Sequence, residues 1–106
     1  MILKNKDVSA RELGGGVKRK VLAHEDELMC VEVSFDAGGI GASHTHPHVQ
    51  VSYVESGKFE VTVGSETKTL EKGDSFSVPS NVPHGVVCLQ DGKLLDFFTP
   101  IRKDFL

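Results

Sequence analysis

The stretch Gly38–Gly57, GGIGASHTHPHVQVSYVESG, decides the fold. It alternates as a β-strand does, and His44 and His46 stand one residue apart within it. Strand side chains point to opposite faces with period two, so both imidazoles share a face, roughly 7 Å apart at the backbone. Rings at that spacing can converge on one ion. His48 and Gln50 have the same parity, but a straight strand would spread the four residues over roughly 20 Å, too far for a single ion. Pro47 lacks an amide donor and marks a turn between two strands. On that reading His44 and His46 end one strand, and Gln50 enters from the next, facing the same interior. His84, downstream in GDSFSVPSNVPHG, completes the set from a third strand. Neutral imidazoles and an amide oxygen leave room at an ion for water or a bidentate substrate. His48 is read as an outer or solvent-exposed residue, and His24, in HEDE, as a surface one.

Outward from this stretch the chain continues as short apolar runs: Val17–His24, Leu28–Phe35, Val49–Glu55, Phe59–Val63, Thr67–Leu70, Phe76–Val78, Val86–Leu89 and Leu94–Thr99. Turn chemistry separates them at Gly14–Gly16, Asp36–Gly39, Ser56–Gly57, Gly64–Ser65, Lys72–Gly73 and Asp91–Gly92. Asp91–Gly92, between two apolar runs, reads as a two-residue hairpin because both residues tolerate positive φ. No segment sustains a 3.6-residue apolar period, although His24–Met29 could form a short helical turn. Short strands with frequent turns predict an all-β sandwich or jelly-roll barrel. At 106 residues the chain is expected to be one domain, 1–106, with residues 1–16 packing on a partner subunit or fraying.

Composition narrows the function. The net charge is −3 and the Lys and Arg residues are scattered, which argues against nucleic acid as a partner. No apolar run is long enough to span a membrane, so no membrane partner is expected. The start, MILKNKDVSARELGGG, is charged throughout and unlike a secretory signal, which makes the cytoplasm the expected compartment. Cys30 and Cys88 lie in apolar runs, outside any CxxC pair, and read as reduced core thiols. Cys88 shares the parity of His84 and so could approach the site.

The tail KLLDFFTPIRKDFL is the second informative region. Asp96 interrupts an apolar strand on the parity of Phe98, and an inward carboxylate must be paired, hydrogen-bonded or protonated. It is either a structural residue bonded to a neighbouring strand or an active-site group. Arg102, beyond Pro100, could fold back over the barrel mouth and take a carboxylate bidentately, or stay a solvated tail charge.

These residues resemble a known family. Gly38, His44, His46, Gln50 and Gly57 match the first cupin motif, with Gln50 where that motif carries Glu. Gly73, Pro79, Asn81, His84 and Cys88 match the second, with Asn81 in place of Gly and Cys88 in place of Asn. Asn81 is a mild departure, because Asn tolerates the left-handed region. Gln50 removes the one anionic ligand, which leaves an ion's full double charge and favours an anionic substrate. From ELGGGVKRK through HTHPHVQVSYVESGKFEV to the tail, the chain is similar to the KdgF family of small cupins in pectin and polyuronate catabolism.

The resemblance implies a cupin double-stranded β-helix, usually a homodimer. It also implies a divalent transition metal (zinc, nickel, manganese or iron) on His44, His46, Gln50 and His84. Asp96, Phe98 and Arg102 form the implied active-site group. The implied reaction is the linearisation of 4,5-unsaturated galacturonate or a related uronate, a small carboxylated sugar, to the 5-keto-4-deoxyuronate. Relatives often carry Glu before the Gln, where this chain has Val49. A metal-dependent dioxygenase and a non-catalytic sugar- or metabolite-binding barrel are the alternatives.

Overall fold

The computed structural model describes residues 1–106 as eight strands. They are β1 (Arg11–Gly14), β2 (Val17–His24), β3 (Met29–Phe35), β4 (Ile40–His44), β5 (Val49–Val63), β6 (Glu66–Glu71), β7 (Ser75–Val78) and β8 (His84–Thr99), with single 3-10 turns at Asn5–Asp7 and Lys103–Phe105. Two of the strands organise the rest. Laid straight at about 3.3 Å per residue, β8 would run ~50 Å. The longest dimension of the molecule is 35 Å, so β8 must bend.

It bends together with β5, its antiparallel partner from Val49↔Thr99 to Val63↔His84, and the register slips around Ser56 and Lys58. A Cβ on Gly92 would lie 2.2 Å from the Ser56 carbonyl oxygen and 2.7 Å from Gly57 Cα. Only a bare backbone fits that crossing. Gly57 itself sits at φ +81, where a side chain is strained.

The bend divides the ladder into two layers of a jelly roll. One runs β1-β2-β3, then the second half of β8, the first half of β5, and β7. The other sets β4 beside the first half of β8, followed by the second half of β5 and β6. Between the layers alternation fills the core: Met29, Val31, Val33 and Phe35 of β3 face inward with Val54, Phe59, Val61, Leu94 and Phe98. Phe35 and Phe59 meet edge to face, centroids 5.2 Å apart. Each such side chain contributes about 1.5–3 kcal/mol by leaving water. No helix is long and apolar enough to cross a membrane.

The all-β jelly roll agrees with the sequence pattern, and four turn predictions fall where turns occur, at Gly14–Gly16, Asp36–Gly39, Gly64–Ser65 and Lys72–Gly73. Others do not. Asp91–Gly92 and Ser56–Gly57 are not turns but points inside β8 and β5, so two pairs of expected strands merge into two long ones. The glycines there serve a backbone crossing, which looks like turn chemistry in sequence. His24–Met29 makes no helical turn; Glu25 N–H bonds the Leu28 carbonyl at 2.8 Å in a tight bend. Cys30 lies half-buried on the outer face, in register with Phe97, rather than in the core. Cys88 is buried, but its thiol donates to the Gln90 carbonyl at 3.0 Å and it takes no part in the histidine group. His24 is half-buried, its Nδ1 on the Leu22 carbonyl. The N-terminal turn is tied to its own sheet, with Asn5 bonding Glu32 and Lys20.

Candidate metal centre and substrate cavity

His44 ends β4 and pairs in register with His84, which begins β8. The turn containing Pro47 carries His46 between them, and the His46 carbonyl accepts the Asn81 amide at 2.8 Å. Asn81 holds φ +64, as its place in the second motif anticipates. Two loops distant in sequence are thereby joined at the site. The three rings lie 4.4 to 5.5 Å apart by centroid, and one ligating nitrogen from each lies within 4.8 Å of the others.

Backbone carbonyls set the tautomers. Nδ1 of His44 meets the Ala42 carbonyl at 2.8 Å, that of His46 the His48 carbonyl at 2.9 Å, and that of His84 the Val82 carbonyl at 2.9 Å. A carbonyl only accepts, so each Nδ1 carries the proton and each Nε2 keeps a lone pair. His84 Nε2 is buried with no partner. His46 Nε2 lies 3.0 Å from Gln50 Oε1, a spacing that neighbouring ligands share at metal–nitrogen bonds of about 2.1 Å. Burial lowers the pKa of both His46 and His84, against the opposing hydrogen bonds to the His48 and Val82 carbonyls respectively. Both rings therefore stay neutral and ligand-competent at neutral pH. An orphaned imidazole nitrogen facing two more, beside an amide oxygen, fits a single divalent ion.

Gln50 is buried, and its orientation follows from a carboxylate two hydrogen bonds away. Ser52 donates to Asp96 Oδ1 at 2.5 Å, and Gln50 Nε2 donates to Ser52 Oγ at 2.9 Å. The ionised carboxylate accepts only, so the serine must donate to it and accept from the amide. That leaves Gln50 Oε1 turned toward the imidazoles. His48 stays outside the group and supplies only its carbonyl.

A cavity of about 370 Å³ opens between the two layers, lined in part by His44, Gln50, His84, Asp96, Phe98 and Arg102. Asp96 faces inward in register with Ser52 and Val31. Burial pushes its carboxyl up to about 6, against the lowering effects of Ser52, His44 and Arg102. Phe98 meets the His46 ring edge-on at 5.6 Å. Arg102 does return over the mouth, 5.2 Å from the Phe98 ring, but its fork is engaged by Asp104 at 3.1 and 2.8 Å. Val49 points outward, 43% exposed, on the far face of β5.

Among the cavity residues that the sequence pattern did not single out are Arg19 and Phe105. Arg19 had a legible signal: like Asp96 it is a charged residue at an inward position, between Val17 and Val21. Phe105 lies beyond the last strand and carries no periodic signal.

A family model described as the cupin domain matches residues 31–98. The pectin degradation protein KdgF of Dickeya dadantii (strain 3937) is 46% identical over 97 residues, 90% of this chain and 88% of that protein. The structure of KdgF from Halomonas sp. superposes with a TM-score of 0.96 at 38% identity, covering 100% of this chain and 98% of that one. An RmlC-like cupin from Shewanella frigidimarina NCIMB 400 superposes with a TM-score of 0.95 at 45% identity, covering 98% and 94%.

Proposed function

The chain belongs to the cupin family, in the group that contains KdgF, and from that premise we propose that it linearises 4,5-unsaturated uronate monomers in the breakdown of pectin or related polyuronates. The observation that carries the proposal is Asp96, an inward carboxyl with a pKa of about 6, in the cavity that also holds the three-histidine group. A carboxyl near 6 exchanges protons close to neutral pH, as a general acid and base must.

The reaction is an isomerisation, and its proton balance fits one such group. The C1 hydroxyl loses its proton, the C1–ring oxygen bond breaks as the aldehyde forms, and the freed oxygen is left as an enolate at C5. A proton added at C4 then completes the ketone. Asp96 takes the proton from the C1 hydroxyl and returns one at C4. Phe98 packs against the sugar ring and Arg102 binds the carboxylate or another sugar oxygen. His44, His46, Gln50 and His84 would hold a divalent transition metal, which supplies Lewis acidity toward substrate oxygens when bound. Several metals suit such a donor set.

The protein acts as a homodimer in this reading. An outer β5 face with Val49, Val51 and Tyr53 each more than two-fifths exposed supports it. Two free cysteines suit the reducing cytoplasm.

The test is an ultraviolet assay on freshly generated 4,5-unsaturated galacturonate, whose conjugated double bond absorbs while the keto product does not. Metal-loaded protein should speed the loss of absorbance, and a chelator should abolish the effect. A rate equal to the spontaneous one, with metal bound, would refute the proposal and turn attention to oxygen consumption or to sugar binding without turnover.

A further inference from the structure

We infer that Arg19 receives the substrate carboxylate, with Phe105 holding its guanidinium in place, and that Arg102 is left for an uncharged sugar oxygen. The inference rests on the carboxylated-sugar reading above and resolves which cation meets the charge.

Arg19 occupies an inward position on β2, in register with Val33, which in turn pairs with Leu94. On one side its row runs through the apolar Val33 and Leu94 and on the other it pairs with Arg11 of β1, and a charge there is costly unless something compensates it. No hydrogen bond or ion pair of the protein does so. No carboxylate lies within 4.0 Å of Arg19, and no side-chain hydrogen bond engages it, whereas Arg102 has Asp104 on its fork. The charges around Arg19 sharpen the contrast. Arg11 and Arg102 repel it and only Asp104 offsets them, so that burial and like charges together lower its pKa. An electropositive mouth on a chain of net charge −3 is a localised field, of the kind that draws an anion in.

The geometry leaves the binding edge free. The Arg19 guanidinium carbon sits 3.7 Å from the centre of the Phe105 ring, and that of Arg102 lies 4.2 Å from the same centre. Stacking uses the face of a guanidinium and leaves its in-plane N–H donors for a bidentate acceptor. Phe105 is itself braced edge-on against Phe98, 5.8 Å between centroids. Arg19 therefore has a fixed direction without a partner for its fork.

Position relative to Asp96 completes the case. Asp96 pairs with Val31, and Arg19 with Val33, one inward position further along the same face. Arg19 lies two strands over, so the two backbones are separated by roughly 10 Å across the sheet and 7 Å along it. A carboxylate held by the long Arg19 side chain leaves space for one sugar ring between it and Asp96.

The test compares Arg19→Met, Arg19→Lys and Asp104→Asn with the unmodified protein, all metal-loaded and with metal content measured. Calorimetry follows D-galacturonate and D-galactose, and steady-state assays follow the unsaturated sugar. Arg19→Met should weaken galacturonate binding and raise KM by roughly 10- to 100-fold, the loss expected for a charge-assisted pair. It should leave galactose binding and metal content unchanged, and Arg19→Lys should recover part of the loss. Galacturonate binding unaltered in Arg19→Met would overturn the inference, and tightening in Asp104→Asn beside it would assign the carboxylate to Arg102 instead. If the unmodified protein binds galacturonate but does not turn over the unsaturated sugar, the proposed reaction fails, and the binding constants alone still judge Arg19.

Discussion

Replacing Asp96 by Asn keeps the acceptor for the Ser52 hydroxyl and removes the titration. The carboxyl is raised from 3.8 to about 6, chiefly by burial. Between those values the folded protein holds a proton that the unfolded chain has released. Folding is therefore favoured most below the unfolded pKa, and stability falls as pH rises through the folded one. About two pH units at ~1.4 kcal/mol each amount to as much as ~3 kcal/mol lost by pH 7. Asn cannot titrate, so Asp96→Asn should gain up to ~3 kcal/mol on the unmodified protein between pH 4 and pH 7, with little further change above. Urea denaturation at intervals across that range, on chelator-treated proteins, measures the difference. Turnover by the metal-loaded variant should drop by about 10²–10⁴-fold, the usual worth of a positioned acid or base. A stability difference that stays flat with pH would refute the buried-acid argument. Full turnover with metal bound would remove Asp96 from the chemistry.

Four further outcomes follow from named contacts. His84→Ala, which deletes the orphaned buried nitrogen, should lose metal by elemental analysis and lower turnover to the spontaneous rate; retained stoichiometric metal would count against the ligand set. Gln50→Glu adds an anion beside His46, so it should slow metal loss to a chelator yet raise KM for the uronate. An unchanged KM would undo the argument that the amide preserves charge for an anionic ligand. Gly92→Ala drives a Cβ into the Ser56 carbonyl and should cost about 3 kcal/mol or more in thermal denaturation, since backbone has nowhere to give. Val49→Glu places a charge on the exposed outer face of β5, so kcat and KM should both hold; a change in either would mean that face reaches the cavity.

The parts of this protein that parity governs were legible in its sequence. Val17–His24 is a strand to the residue. His44, His46, Gln50, His84, Asp96, Phe98 and Arg102 gather at one cavity and its histidine group. For the strand residues His44, Gln50, His84, Asp96 and Phe98 the inward or outward direction follows from position alone once Pro47 is read as a break. What the sequence hid is where the backbone touches itself. Gly92 and Gly57 look like hairpin residues because turns and close crossings both require a missing Cβ. Only the pairing of Ser56 with Lys93 tells them apart. Arg19 was overlooked for another reason: Lys18 and Lys20 flank it, and a run of cations reads as a solvated edge unless the middle one is assigned to the inner face.

The long strand β8 carries His84 near one end and Asp96 near the other, with the Gly92 crossing between them. Length in this stretch is therefore quantised. A single residue inserted after Gly92 would turn Leu94, Asp96 and Phe98 outward and bring Leu95 and Phe97 in, because strand faces alternate at every step. The three histidines, all upstream, would keep their places. Such a variant should keep three imidazoles for a metal, with Gln50 no longer oriented through Ser52, and do no proton chemistry. The turns at Gly14–Gly16 and Gly64–Ser65 tolerate added residues, whereas between Gly92 and Phe98 an insertion or deletion must come in twos. Length change in that span thus displaces the Asp96 side of the cavity while leaving the histidine group in place.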